Sequence, residues 1–235
     1  MPKRKAADPG LSRERIIQAA IAQVERLGLE AFTMRKLGEA LGVEAMSLYH
    51  FFPSKQHLVD ALVDTAIASV EFPPESLPPV ERMRRTMRAY RDMAHRYGRL
   101  YPVIAVHRLN TPTGVTFIEK VLRIAYDITG DEEQAARSFR ALGYYLMGAA
   151  LDETMGYAKG PSAAQPVDGA FIARECPLLA RSAKYFQRDQ WDRTFEQGME
   201  NMLRALTERD GTTGSPAHGP GKRAPRRGKR RKAPA

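Results

Sequence analysis

Between Thr33 and Lys55 the chain carries hydroxyl, guanidinium, imidazole and ammonium groups at Thr33, Arg35, Ser47, Tyr49, His50 and Lys55, with the smaller or apolar Ala45 and Met46 among them. These groups suit binding, not bond-making. Tyrosine hydroxyls and lysine ammoniums donate well to phosphate but discriminate poorly between bases, whereas a small or hydroxyl-bearing side chain lets a helix approach base edges and thymine methyls closely. No Gly-rich phosphate loop, nucleophile elbow or His pair at metal spacing occurs in the sequence, which argues against an enzyme and against a resident cofactor or metal.

These residues need helices to position them. Ile16, Ile17, Ala20, Ile21, Val24 and Leu27 recur at helical spacing behind Ser12, a good N-cap, and ahead of Gly28. A second, short helix opens at Thr33 and carries Met34, Leu37, Gly38 and Leu41 before Gly42 ends it. Val43 leads into a third, Glu44 to Phe52, stopped by Pro53, and Ser54 can cap a longer fourth helix running to about Val70. A capped two-turn helix, a Gly-centred turn and a short helix with an exposed face are the layout of a helix-turn-helix. Leu37, Leu41, Val43 and Leu48 then fix the angle between its helices against Ile17, Ala20 and Ile21. Ala45, Met46, Ser47, Tyr49 and His50 point outward.

The run Phe32-Thr33-Met34-Arg35-Lys36-Leu37, then Leu41-Gly42-Val43, then Leu48-Tyr49-His50-Phe51-Phe52 with Lys55 and Leu58-Val59, resembles the TetR family of bacterial transcriptional regulators in order and spacing. The resemblance covers residues 11–70. It implies that Thr33 and Arg35 touch phosphate or a groove edge, that Tyr49 and Lys55 grip phosphates, and that Ala45, Met46, Ser47 and His50 face bases. It further implies a homodimer on a near-palindromic operator, with two recognition helices about one duplex turn apart. A repressor released by a small-molecule effector is the leading expectation; an activator of the same family, or a nucleoid-type protein led by its basic tail, are alternatives.

Phe72-Pro73-Pro74-Glu75-Ser76-Leu77-Pro78-Pro79 cannot continue a helix and marks a boundary. Helical periodicity resumes over 80–96, 101–108, 113–128 and 131–156; residues 157–170 read as a long loop before helices near 176–187 and 189–208. The predicted architecture is all-α: a helix-turn-helix domain over 11–71 and a helical effector-binding and dimerisation bundle over 80–208. The one-sided apolar residues of 131–156 and 189–208, among them Leu142, Tyr145, Phe195 and Met199, suit a four-helix bundle between subunits. An apolar effector cavity is expected, lined by residues such as Tyr101, Phe117, Tyr144 and Met147. Weaker similarity to the drug-binding half of the family's tetracycline-responsive member, through Val106-His107 and Leu146 to Glu153, implies that His107 and Asp152 are polar groups of that pocket. Asp for the family's Glu there shortens the reach and makes metal-assisted binding an unfavoured variant.

Of the net charge of +10, eight charges lie in 211–235, which has no acid, and three at Lys3, Arg4 and Lys5, so residues 6–210 sum to −1. The basic arm at 1–10 and the tail at 211–235 cannot bury apolar area and are expected to be disordered and attracted to phosphate backbones. Cys176 is the one cysteine, so no internal disulfide forms, which suits a cytoplasmic location. No apolar run approaches the roughly 20 residues of a membrane span.

Overall fold

The computed structural model describes residues 10–156 and 163–208. The arm expected at 1–10, save Gly10, and the tail expected at 211–235 lie outside them. Every regular element among the described residues is helical. Helices α1 (Arg13–Leu27), α2 (Met34–Leu41), α3 (Ala45–Tyr49) and α4 (Lys55–Ala68) are followed by α5 (Pro79–Arg96), α6 (Tyr101–Val106), α7 (Pro112–Thr129) and α8 (Glu132–Leu151).

The starts are set by caps that the sequence pattern foreshadows. Ser12 Oγ accepts from the Arg15 amide at 3.1 Å, Thr33 Oγ1 from that of Lys36 at 3.2 Å, and Ser54 Oγ from that of His57 at 3.3 Å. Gly42 closes α2 in the left-handed region, φ 70°, where residues with a Cβ are strained. The α2–α3 crossing rests on another glycine. A Cβ on Gly38 would stand 2.8 Å from the Val43 carbonyl oxygen and 3.2 Å from the Ala45 amide.

One apolar core runs from Ile16 in α1 to Leu203 in the last helix, and α4 belongs to both its ends. Leu58, Val59, Leu62, Val63, Ala66 and Ile67 are all buried, so α4 is covered on more than one side. Opposite α4, α5 and α7 run antiparallel: Arg82 near the start of α5 bonds Asp127 near the end of α7 at 2.8 Å, while Tyr90 packs on Phe117. α8 lies against α7 and finishes in a π-helical turn, Asp152–Gly156.

Beyond α8 the chain departs from the expected pattern. Helix α9 (Gly169–Glu175) begins inside the stretch read as loop, because Asp168 caps it by accepting from the Phe171 amide at 2.7 Å. Pro177 then starts α10 (Pro177–Ser182), and Cys176 before it is forced out of helical geometry (φ −129°, ψ 56°), which separates α10 from α9; α10 gives way to 3₁₀ geometry at Ala183, so no continuous helix spans 176–187. Two 3₁₀ turns lead to α11 (Trp191–Thr207). Nothing in α9 or α10 is buried. Among the residues expected to face a second subunit, Leu142, Phe195 and Met199 are buried in the chain's own core.

Gly38→Ala is expected to force α2 away from α3, costing about 1–3 kcal/mol of stability by overpacking. Denaturant unfolding of the purified variant checks this; an unchanged midpoint would show that the crossing relaxes freely.

Candidate functional site

The helix-turn-helix presents a mixed surface held by a buried floor. Phe32, Leu37, Leu48, Phe52 and Leu58 are fully buried beneath it. Above them Met46 is 67% exposed, Thr33, Arg35, Tyr49, His50 and Lys55 are exposed, and Ala45 and Ser47 are half-buried on α3. The structure therefore brings Ala45, Met46, Ser47, Tyr49 and His50 onto one short helix and its end. Arg35 lies on α2 beside Glu39 at 3.6 Å, a solvated pair. Lys55 has a structural task as well: its ammonium donates to the Phe32 carbonyl at 2.9 Å and sits 5.4 Å from the Phe32 ring centroid, tying the start of α4 to the entry of α2. Two further ammonium protons are left for a phosphate.

Arg13 was not singled out by sequence reasoning. Its guanidinium donates to the Phe51 carbonyl and covers the Phe52 ring at 4.2 Å, so the first turn of α1 clamps the end of the helix-turn-helix. A cation in the first turn of a capped helix carries no such information by itself.

In the second half a cavity of about 130 Å³ lies between α5, α7 and α8, lined by Met83, Met87, Tyr90, Phe117, Val121 and Leu146 among others. Of the residues expected to line a pocket, Phe117 does. Tyr101 is fully buried one layer behind, its hydroxyl 3.3 Å from that of Tyr90. Burial pushes both phenols up, so they stay neutral. Tyr144 is 57% exposed on the outer face of α8, bonded through its hydroxyl to Arg140. Met147 is half-buried outside the cavity lining, and Asp152 is exposed at the start of the π turn. The buried acid is its neighbour Glu153, which takes a two-pronged bond from Arg91 at 2.7 and 3.0 Å and a third contact from His95 at 2.7 Å. No three potential metal-ligating side chains converge among the described residues.

Residues 16–62 match the sequence profile of bacterial regulatory proteins of the tetR family, and residues 79–209 that of the tetracyclin repressor-like C-terminal domain. The chain belongs to the TetR family. It is 27% identical over 206 residues to the tetracycline repressor protein class A from transposon 1721 of Escherichia coli, covering 83% of this chain and 89% of that one. A possible TetR family transcriptional regulator from Streptomyces coelicolor superposes with a TM-score of 0.69 at 25% identity, over 83% of this chain and 98% of the other. The Streptomyces coelicolor TetR family protein ActR in complex with actinorhodin gives 0.67 at 23% identity, over 84% and 97%, and supports the fold. TetR-family proteins are ligand-responsive DNA-binding transcriptional regulators, many of them repressors, and not enzymes.

In this TetR-family chain the two halves meet through polar clasps as well as through α4. Glu25, near the end of α1, accepts from the backbone amides of Arg99 and Leu100, both at 3.1 Å, and so caps the approach to α6 from the other half of the chain. His107, just after α6, lies 2.9 Å from Asp60 of α4; because a carboxylate only accepts, Nε2 carries the proton. Its Nδ1 is buried without a partner. Thr111 donates to Asp64, one turn further along α4, at 2.5 Å. The end of α6 and the start of α7 thus touch α4 through hydrogen bonds to its Asp pair. His107 is placed at the junction of the halves and does not line the cavity.

Desolvation raises the Asp60 carboxyl, but the hydrogen bonds from His107 and Gln56 outweigh it and hold Asp60 below the ordinary carboxylate range. A depressed carboxylate contributes stability that is full above its unfolded pKa, about 3.9, and lost as pH falls through the folded value. Asp60→Ala is expected to cost about 1 kcal/mol at neutral pH, scaled down for partial exposure. The difference from the parent should close below about pH 4. Denaturation across a pH series checks it; a gap that persists undiminished at pH 2 would contradict the clasp.

Proposed function

We propose that this protein binds a near-palindromic DNA operator as a homodimer in the cytoplasm, represses transcription there, and is released by a small apolar effector. Thr33, Arg35, Tyr49 and Lys55 hold phosphates, while Ala45, Met46, Ser47 and His50 meet base edges. The observation that carries the reading is the pairing of an outward helix-turn-helix with an apolar cavity through α4, which packs both on α1 and on α7, a wall of that cavity. No helix among the described residues is long and apolar enough to cross a membrane.

The cavity explains how a ligand could do mechanical work. At about 130 Å³ it is well below the roughly 300–1,000 Å³ of drug-sized sites, so an effector of that size has to part its walls. Phe117 and Val121 put α7 in those walls; the start of α7 is tied to α4 by Thr111–Asp64, and to the segment leaving α4 by the edge-to-face packing of Phe72 on Phe117 at 5.6 Å. Displacing α7 therefore pulls on α4, and α4 carries the helix-turn-helix of its protomer. Two recognition helices that no longer match one duplex turn lose the operator. The polar groups nearest this path are already paired with one another, His107 with Asp60 and Glu153 with Arg91 and His95. The walls themselves favour an uncharged, apolar ligand that can offer a hydrogen-bond acceptor to the Tyr90 hydroxyl.

Selection of bound duplexes from a random pool with the full chain at physiological salt is expected to return a palindromic motif; affinity that tracked salt alone with no motif would remove the base-reading roles. Within that motif, Met46→Ala should relax preference at one position by about 1 kcal/mol, the scale of a lost apolar contact, while Tyr49→Phe weakens all sequences alike by about 1 kcal/mol. Val121→Phe, which fills the cavity, should keep operator affinity and abolish release by any compound that releases the parent. Release that survives the substitution would place the effector elsewhere.

A further inference from the structure

A second hollow, larger than the cavity between α5, α7 and α8, lies where the end of α4 and the chain leaving it meet the first turns of α7. It is an open groove of about 440 Å³, within the range of small-molecule sites without any parting of its walls. Ile67 at the end of α4, Val70 and Phe72 just beyond it, and Phe117 of α7 make its floor apolar. Phe117 belongs to both linings, but the faces of α7 differ. Phe117 and Val121 line the cavity, whereas Thr113, Thr116 and Lys120, at i, i+3 and i+7, line the groove.

Lys120 is the charged side chain of the groove, and no acid lines it. Its ammonium rests 5.1 Å from the Phe72 ring centroid, a cation–π contact that holds the charge beside the apolar floor. Lys120 forms no ion pair among the described residues: its neighbour Glu119 lines a different hollow of α7 and takes its bond from Arg123 at 2.9 Å. The Thr116 hydroxyl, one turn before Lys120, makes no hydrogen bond among the described residues and is free to donate beside it. An apolar floor ending in one unpaired cation is complementary to an apolar body that ends in one anionic group. A single cation matches the single charge of a carboxylate better than the near-double charge of a phosphate ester. From Thr113 to Lys120 the helix rises about 10 Å, which sets the length of the body.

We propose that the groove between α4 and α7 is a second ligand site, separate from the inner cavity, for a carboxylate with an extended apolar body. The body lies along Ile67, Val70 and Phe72, and the carboxylate accepts from the Lys120 ammonium and the Thr116 hydroxyl. Titration calorimetry of the full chain with octanoate, whose extended chain suits that length, should show saturable binding. Lys120→Met should weaken octanoate about tenfold while leaving octanol, which has the same body and no charge, within about twofold. Thr116→Trp, which fills the groove, should abolish binding of both, whereas Val121→Phe, which fills the inner cavity, should change neither. Thr116 and Lys120 are exposed, so their variants are expected to keep the fold, which an unchanged thermal midpoint verifies. Octanoate binding lost in Val121→Phe and kept in Thr116→Trp would put the ligand in the cavity and overturn the proposal. So would the absence of saturable binding, or a Lys120→Met variant that weakens octanoate no more than octanol. None of these readouts involves DNA, so the groove and the operator reading fail separately.

Discussion

Helix α4 is buried by two neighbours at once, and this double burial is the constraint from which the rest of the architecture follows. A helix that packs only on its own domain can show an apolar stripe and a polar face. Here the paired positions Leu58-Val59, Leu62-Val63 and Ala66-Ile67 repeat every four residues, and all six are buried. One side meets α1, the other the start of α7. Because interiors are close-packed, α4 cannot shift against one neighbour without disturbing the other. Its half-buried remainder is used too: Asp60 and Asp64 take the bonds that fix its angle to α6 and α7.

The N-terminal half was legible from sequence because local chemistry governs it. Ser12, Thr33 and Ser54 cap where hydroxyls precede apolar runs, and Gly42 sits where a left-handed residue closes a helix; α3, expected to run to Phe52 and stop at Pro53, already ends at Tyr49. Short-range rules suffice there. The apolar character of the cavity was also readable, since it needs only helices with apolar faces. Its membership was not: Tyr144 and Phe117 are both aromatics on amphipathic helices, yet one faces solvent and the other the cavity. Helix phase relative to a neighbour decides between them, and that is a tertiary quantity.

The polar network was the least visible part. Glu25 capping the approach to α6 spans 74 residues of sequence, and nothing near Glu25 signals it. The ion pairs that join α5 to α11, Arg84 with Glu200, Arg88 with Glu196 and Arg91 with Asp192, did leave a trace, two rows of like charge at helical spacing that fit an antiparallel pair. The acid at the end of α8 shows how narrow such readings are. Asp152 and Glu153 are adjacent and chemically alike, but the π-helical turn leaves the first in solvent and delivers the second to Arg91 and His95. Helix α9 was missed because Asp168 supplies a cap inside a Gly- and Pro-rich stretch whose composition reads as loop.

If α4 joins cavity and recognition helix in one equilibrium, linkage makes that coupling measurable. The direct measurement is the affinity of a cavity-binding compound for the full chain, by titration calorimetry, with and without saturating selected operator. Operator should weaken the compound by the same factor by which the compound weakens operator binding, a coupling of about 1–3 kcal/mol. Compound affinity unchanged by operator would contradict the account, whatever either ligand does alone.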